Sequence, residues 1–234
     1  MRDSVLASLL PASVRFAERW TDDPDDLYPE ELTHLSRAVP KRRAEFATVR
    51  RCARESLEAM GIIRPPMVPG EAGAPTWPTG VVGAMTHCAG YRAAAVASRE
   101  DVLSLGIDAE PNQPLPGDVL ATIALPGEIR ELQKLHEVSP EVQWGRLLFS
   151  AKESVYKTWY PLRRTWLGFE EAFLRLCPDG TFTAVLNRPL LEAAHPNRID
   201  GAWAATDQHV VTAISLAAPR HLTTGRTLDT STED

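Results

Sequence analysis

Three short apolar runs follow one another in the middle of the chain, and they constrain its fold more than any other feature. They are VVGAMTHC at 81–88, YRAAAVAS at 91–98 and VLSLGIDAE at 102–110, and turn-forming residues separate them. Runs of this length, bounded by glycine and polar residues, are typical of β-strands. The middle of the chain is therefore predicted to form three successive strands.

Helical and hairpin patterns flank these strands. Residues 40–60 carry apolar side chains at helical spacing, and Gly61 ends the pattern. A second long helix is predicted from about Pro140 to Tyr160, ending before Pro161. Two hairpin signals follow, FEEAFLRLC-PDG-TFTAVL and IDGAWAAT-DQ-HVVTAISLA. The order of helix then strands, repeated twice, predicts an α/β or α+β fold of two similar halves.

The boundary between the halves is predicted near residues 102–105. The expected organisation is an N-terminal half at 1–104, a C-terminal half at 105–218 and a flexible tail at 219–234. The start of the chain holds a short apolar run with an acid at Asp3, which predicts an early strand or helix and not a signal peptide. No run reaches the roughly 18 apolar residues that a membrane span needs.

Charge and cysteine usage exclude several classes of protein. The formal net charge of −6 disfavours binding to nucleic acid or to an anionic membrane, so an anionic ligand needs a local basic patch. Cys52, Cys88 and Cys177 form no zinc-binding pattern and are expected to be reduced thiols in a cytoplasm. His87 beside Cys88 has the composition of a base and a nucleophile. Adjacent side chains rarely face each other, however, and a structural cysteine is the better interpretation.

Two carboxylates lie two residues apart near the end of the third predicted strand. In the segment LGIDAEP, Asp108 and Glu110 project from one face of a strand, and Pro111 halts the pairing. Adjacent carboxylates repel each other unless a cation lies between them, and Mg²⁺ prefers oxygen ligands completed by water and phosphates. The same sequence could also form an acidic turn that faces solvent, so this pattern alone leaves both interpretations open.

The second predicted long helix carries the segment FSAKESVYK at 149–157. Glu153 and Lys157 lie one turn apart on one face, which is also the spacing of an ordinary stabilising ion pair. Aromatic and apolar neighbours indicate that this helix is buried, and buried charges need strong partners. Glu153 is therefore a candidate third metal ligand, with Lys152 and Lys157 as candidates for phosphate binding. The SVYK part matches the SxxK of penicillin-recognising enzymes, whose other motifs are missing here.

Arginines and one histidine complete the set of candidates. On the helix at 40–60, Arg43, Arg50 and Arg54 share a face beside the apolar stripe. Guanidinium groups at such positions either bind phosphate in a cleft or face solvent. The segment THCAGYR joins two predicted strands, and His87 within it either donates to a phosphate or has a structural role.

Taken together, these segments resemble the Sfp/EntD-type 4′-phosphopantetheinyl transferases, especially those of actinobacteria. The matching pieces are KRRAEFATVRRCAR, GAPTWP, VVGAMTHCAGYRAAAV, LGIDAEP, FSAKESVYK and TWLGFEEA, in the family's order between about residues 40 and 175. The combination of GIDAEP with FSAKESVYK, about forty residues apart, is highly specific. The resemblance implies a pseudo-twofold fold of two similar halves, with coenzyme A bound between them.

The resemblance also implies roles for individual residues. It implies Mg²⁺ or Mn²⁺ as cofactor, with Asp108, Glu110 and Glu153 as ligands. It implies coenzyme A as co-substrate, bound by Arg42, Arg43, Arg50, Thr86, His87, Lys152 and Lys157. The family match favours Arg42 and Arg50 at the 3′-phosphate, whereas the helix register favours Arg43 and Arg50. Glu153 and Lys157 are the implied catalytic residues.

The implied reaction transfers 4′-phosphopantetheine from coenzyme A to a serine of an apo acyl or peptidyl carrier protein and releases 3′,5′-ADP. The implied setting is a cytoplasmic monomer that serves polyketide, nonribosomal peptide (antibiotic) or siderophore biosynthesis, without nucleic acid or membrane partners. Residues 160–166, with Arg163 and Arg164, are expected to meet the carrier. A Mg²⁺-dependent nucleotide phosphohydrolase and a noncatalytic carrier-binding module are the alternatives.

One segment departs from the family pattern. Relatives often carry Lys or Arg just before or within the GAPTWP region, whereas residues 69–76 hold no basic side chain here. This difference predicts a lost phosphate contact, or its replacement by Arg64. The affinity for coenzyme A depends on which of these applies.

Overall fold

The computed structural model describes residues 4–24, 27–190 and 197–219. Its helices are α1 (Leu6–Leu9), α2 (Pro29–Thr33), α3 (Pro40–Glu58), α4 (Val119–Ile123), α5 (Pro126–Val138) and α6 (Trp144–Arg163). Its strands are β1 (Arg15–Arg19), β2 (Val81–Cys88), β3 (Tyr91–Ser98), β4 (Val102–Pro111), β5 (Ala172–Leu176), β6 (Thr181–Leu186), β7 (Arg198–Ala205) and β8 (His209–Ala217). The predicted flexible tail lies outside the described residues except for its first residue.

The strands form two sheets in which every pair is antiparallel. The first sheet has the order β1-β3-β2, and the second has the order β4-β8-β7-β6-β5. The predicted strands of the centre and both predicted hairpins are confirmed, and so is the mixed α/β (α+β) class. Within the described ranges, no helix is long and apolar enough to cross a membrane.

One long helix packs against each sheet. α3 lies on β1 and β3 and buries Cys52 and Leu57, whereas α6 lies on β4 and β8 and buries Val155 and Trp159. Each helix carries apolar residues at helical spacing, so each buries one stripe and exposes polar residues on its other side. β2 and β4 lie side by side where the two sheets meet. The two halves are joined there.

Gly106 permits a close approach between β4 and α6. A Cβ atom at this position would collide with the carbonyl oxygen of Ser154 and the hydroxyl of Thr158. With only a hydrogen atom between them, the strand that carries Asp108 lies directly on the helix that carries Lys157. The glycine therefore allows β4, which carries Asp108 and Glu110, to pack closely on α6, which carries Glu153 and Lys157.

Gly106→Ala is expected to destabilise the fold by about 3 kcal/mol, because the added methyl group meets backbone that cannot move alone. Urea denaturation of both proteins measures the change. Gly145→Ala is the matched control, since a Cβ there meets Leu120 and Leu115 at ordinary distances of 3.5 Å and 3.7 Å. Alanine in that helix is expected to be neutral or to stabilise by up to about 1 kcal/mol. Equal stability of the Gly106 variant and the wild type would contradict the close approach.

The second long helix differs from its prediction at both ends. α6 begins at Trp144 instead of Pro140, and it continues through Pro161 to Arg163. Pro161 lacks the N–H that would bond to the carbonyl of Lys157, but only this one bond is lost so close to the helix end. Residue 164 then adopts a left-handed conformation with φ of 52° and ends the helix.

Candidate functional site

A cleft of about 780 Å³ lies between the two halves. Residues of α3, the loop at 69–80 and β2 line one side, and residues of β4 and α6 line the other. The charged side chains among the lining residues are Arg42, Arg50, Glu71, Arg99, Glu153, Lys157 and Arg164, five cationic and two acidic, and Thr86 and His87 line the cleft as well. The volume is in the range of small-molecule sites, and the cationic lining favours an anionic ligand.

Asp108 is the centre of the charged contacts beside this cleft. Its buried carboxylate accepts hydrogen bonds at Oδ1 from Lys157 Nζ (2.7 Å) and Thr86 Oγ1 (3.1 Å). Lys157 also donates to the carbonyl of Ile107 at 3.1 Å. Among the described residues, Oδ2 of Asp108 is buried without a hydrogen-bond partner. A buried carboxylate oxygen without a partner is costly, so Oδ2 is free to bind a cation.

Glu153 and Glu110, the two other predicted metal ligands, have different surroundings. Burial raises the pKa of Glu153, Lys157 lowers it and Asp108 raises it again. Burial also raises the pKa of Glu110, with a further contribution from Asp108, but Arg146 donates to Glu110 Oε2 at 3.1 Å. In the described part of the chain, Glu153 has no hydrogen-bond partner for its carboxylate. The whole carboxylate of Glu153 is therefore available to a ligand, whereas one oxygen of Glu110 is paired with Arg146.

These donors fit a hard divalent cation that a substrate completes. Nowhere in the described ranges do three His, Cys, Asp or Glu residues converge closely enough to hold a metal ion by themselves. Mg²⁺, however, commonly takes one or two carboxylates together with water and substrate phosphates. The unpaired Oδ2 of Asp108 and the unpaired carboxylate of Glu153 provide such oxygens. Glu110 can add a further oxygen, because Arg146 contacts only its Oε2.

Arg42 and His87 contact each other at the cleft wall. Arg42 NH1 donates to Nε2 of His87. Because a guanidinium group has donors only, His87 must be neutral in this contact, with its proton on Nδ1. Both side chains line the cleft, and an anion placed there would accept hydrogen bonds from both.

Arg50 is the buried arginine of the cleft. Its Nε donates to the carbonyl of Met67 at 2.7 Å, and its Cζ lies 3.0 Å from the centroid of the Phe46 ring. Glu31 Oε1 lies 3.9 Å from Arg50 Nε and also accepts from the Met67 N–H at 2.6 Å. Glu31 is fully buried and forms an ion pair with Arg54. This network holds Arg50 in the cleft wall.

The structure contradicts the prediction that Lys152 binds phosphate. Its Nζ donates to the carbonyl oxygens of Phe169 (2.8 Å) and Ala172 (2.9 Å) and pairs with Glu128 at 3.0 Å. These three partners use all three N–H groups of the ammonium ion. Lys152 instead anchors α6 to the segment that precedes β5.

The helix register predicted that Arg43 binds phosphate, but its side chain makes other contacts. It donates to the carbonyls of Ala38 (3.2 Å) and Leu35 (3.0 Å), in the segment before α3. Arg43 is not among the described residues that line the cleft, whereas Arg42 and Arg50 are. Of the arginines predicted to bind phosphate, Arg42 and Arg50 therefore line the cleft and Arg43 does not.

Arg64 does not replace the basic residue that residues 69–76 lack. It pairs with Glu58 at 2.9 Å and is not among the described cleft-lining residues. Arg99 does line the cleft, and sequence reasoning missed it. Its position in the turn between β3 and β4, beside the start of β2, gives no local signal.

Known proteins match the chain over most of its length. A model of the 4′-phosphopantetheinyl transferase N-terminal domain matches residues 30–97, and a model of the 4′-phosphopantetheinyl transferase superfamily matches residues 104–214. The chain is 53% identical over 222 residues to the 4′-phosphopantetheinyl transferase Svp of Streptomyces mobaraensis, covering 92% of this chain and 90% of that protein. It is 41% identical over 225 residues to PptT of Mycobacterium tuberculosis (91% and 98% covered). It is 42% identical over 234 residues to Npt of Nocardia iowensis (91% and 100% covered). Both are also named 4′-phosphopantetheinyl transferases.

Proposed function

The chain belongs to the 4′-phosphopantetheinyl transferases, and we propose that its cleft carries out their reaction with the residues described above. The enzyme transfers phosphopantetheine from coenzyme A to a carrier protein. The observation that carries the proposed site is the buried carboxylate of Asp108, which contacts Lys157 beside the cation-lined cleft and whose Oδ2 has no hydrogen-bond partner in the described part of the chain. The comparisons give no support to a nucleotide phosphohydrolase or a noncatalytic module.

Coenzyme A is proposed to lie along the cleft with its charged groups near the cationic side chains. The pyrophosphate would lie near Lys157, Thr86 and His87, opposite the carboxylates. The 3′-phosphate would meet Arg42 and Arg50, because guanidinium groups bind phosphate oxygens in pairs. Asp108 and Glu153, with Oε1 of Glu110, would hold Mg²⁺ or Mn²⁺.

The protein's own groups then act on the serine of the carrier. Glu153 takes the hydroxyl proton as general base. The serine oxygen bonds to the phosphorus that bears pantetheine, and the bond from that phosphorus to the 3′,5′-ADP oxygen breaks. Lys157 donates a hydrogen bond to the departing phosphate. A divalent cation, when bound by these carboxylates, would neutralise charge on the pyrophosphate.

The acceptor domains, the oligomeric state and the cellular compartment are also proposals. The acceptors would be apo acyl or peptidyl carrier domains of polyketide and nonribosomal peptide synthases, and the enzyme would act as a cytoplasmic monomer. The division into halves at 1–104 and 105–218 agrees with the two family models, which end at residue 97 and begin at residue 104. The free thiols of Cys52, Cys88 and Cys177 suit a reducing compartment.

Mass spectrometry of a purified apo acyl carrier protein tests the reaction. With coenzyme A and Mg²⁺, the enzyme is expected to add one phosphopantetheine group to the carrier and to release an equal amount of 3′,5′-ADP. Chelation of the metal is expected to slow transfer at least about 100-fold, since the cation supplies several kcal/mol of charge stabilisation. Hydrolysis of coenzyme A without a change in carrier mass would contradict the proposal.

Arg50→Ala is expected to raise the KM for coenzyme A about 10- to 100-fold, because a charged hydrogen bond contributes about 1.5–3 kcal/mol. The KM for dephospho-coenzyme A, which lacks the 3′-phosphate, is expected to change much less. Steady-state assays with both donors measure the two values. Arg43→Ala, on the same helix but outside the cleft, is expected to change neither. An equal rise for both donors would show that Arg50 does not contact the 3′-phosphate.

A further inference from the structure

The hydroxyl group of Thr86 connects the two halves of the protein beside Asp108. β2 and β4 are edge strands of separate sheets, and they lie side by side where the sheets meet. Thr86 Oγ1, on β2, contacts Oδ1 of Asp108 at 3.1 Å and accepts a hydrogen bond from the N–H of Ala109 at 3.1 Å. Both Thr86 and Asp108 are buried. One side chain of the N-terminal half therefore holds the carboxylate of Asp108 and the backbone next to it.

The single proton of the Thr86 hydroxyl is used in the contact with Asp108. An ionised carboxylate only accepts hydrogen bonds, so Thr86 must be the donor in this pair. A hydroxyl group has one proton to donate, and none is left for a phosphate oxygen while this bond is made. Thr86 lines the cleft, and the family resemblance implies that it contacts coenzyme A. Its hydrogen bonds indicate instead that it acts on the carboxylate of Asp108.

Two donors from different elements fix the orientation of the Asp108 carboxylate. Lys157 on α6 donates to Oδ1 at 2.7 Å, and Thr86 on β2 donates to the same oxygen at 3.1 Å. In the part of the chain that the structure describes, Oδ2 has no hydrogen-bond partner. The last torsion of an aspartate side chain has a broad energy minimum. With Lys157 as the sole donor, the carboxylate could turn about its Cβ–Cγ bond and offer either oxygen to the ammonium group.

We propose that Thr86 is a positioning residue that acts through Asp108, keeping Oδ2 free for the divalent cation and thereby setting the affinity for the cation. This inference rests on the proposed function, in which Asp108 is a metal ligand. Groups that hydrogen-bond to metal ligands typically change metal affinity about 10- to 100-fold when they are removed. Because Thr86 belongs to the N-terminal half and Asp108 to the C-terminal half, the cation site depends on the contact between the halves.

Thr86→Val tests this role with Mn²⁺ alone as the probe. Valine keeps the shape of threonine and removes the hydroxyl group. Titration followed by the electron paramagnetic resonance signal of free Mn²⁺ is expected to show a Kd about 10- to 100-fold above that of the wild type. At saturating Mg²⁺, the KM for coenzyme A is expected to stay near the wild-type value, because Arg42, Arg50 and Lys157 remain. Thr86→Ser keeps a hydroxyl group and is expected to bind Mn²⁺ like the wild type.

Thr48→Val is the matched control for the loss of a buried hydroxyl group. Thr48, on α3, is also buried, donates to the carbonyl of Ala44 at 2.8 Å and accepts from the N–H of Asp23 at 2.9 Å. Both valine variants are expected to lower the melting temperature, but Thr48→Val is expected to leave the Kd for Mn²⁺ unchanged.

Two results separate this inference from the proposed function. If Thr86→Val binds Mn²⁺ as tightly as the wild type, Thr86 does not position Asp108, and a raised KM for coenzyme A in that variant would assign Thr86 to the phosphates. If the wild type itself binds no Mn²⁺, or if Asp108→Asn binds Mn²⁺ as tightly as the wild type, the proposed metal site is wrong.

Discussion

Asp108→Asn is expected to lower the rate of transfer about 10³-fold while leaving the fold intact. Asparagine keeps the shape of the side chain and the hydrogen bond from Thr86, but it removes the negative charge that Lys157 contacts at 2.7 Å. It also replaces an oxygen that is proposed to bind the cation, and metal charge stabilisation contributes several kcal/mol. Single-turnover transfer to an apo carrier measures the rate, and thermal unfolding checks the fold.

Glu110→Gln is the matched control for Asp108→Asn. Glu110 lies two residues further along the same strand, but Arg146 already neutralises it at 3.1 Å. We therefore expect a loss of about tenfold or less, as for a partly exposed charge pair. Equal losses in the two variants would mean that both carboxylates bind the cation. A wild-type rate for Asp108→Asn would remove Asp108 from the site.

Local sequence signals predicted the strands and α3 well because their ends are set by single residues. β2 ends just before Gly90 and β3 begins just after it. The φ of 79° at Gly90 is a turn conformation that glycine adopts easily. α3 ends at Glu58, and Gly61 with φ of 76° stops it. In both places, the conformation depends on one residue and its neighbours, so no distant contact was needed for the prediction.

The region between β4 and α6 was predicted less well because tertiary contacts decide it. The sequence interpretation did not define α5, and it began α6 at Pro140, four residues before its start at Trp144. Trp144 is buried against Trp203 of β7, with 5.2 Å between ring centroids. This long-range contact gives no local signal at the start of the helix. Packing of Trp159 and Tyr160 likewise carries the helix past Pro161.

The sequence predicted which residue types form the candidate site, but it did not always predict which of their side chains point into the cleft. Lys152 and Glu153 are neighbours on α6, yet consecutive helical side chains point about 100° apart, so only one of them faces the cleft. The buried partner of Lys152 is Glu128, which lies on α5, a helix that the sequence did not define. Arg146 was missed for a similar reason, because its partner Glu110 is 36 residues away in the chain.

Glu153→Gln is expected to lower kcat about 10²- to 10⁴-fold, the usual contribution of a general base. The variant keeps the size of the side chain, and the KM for coenzyme A is expected to change little because Arg42, Arg50 and Lys157 remain. Transfer at several Mg²⁺ concentrations separates the two roles of Glu153. If Glu153 only helped to hold the cation, excess Mg²⁺ would restore the rate. If Glu153 takes the serine proton, the loss persists at saturating Mg²⁺, and an undiminished kcat there would refute this role.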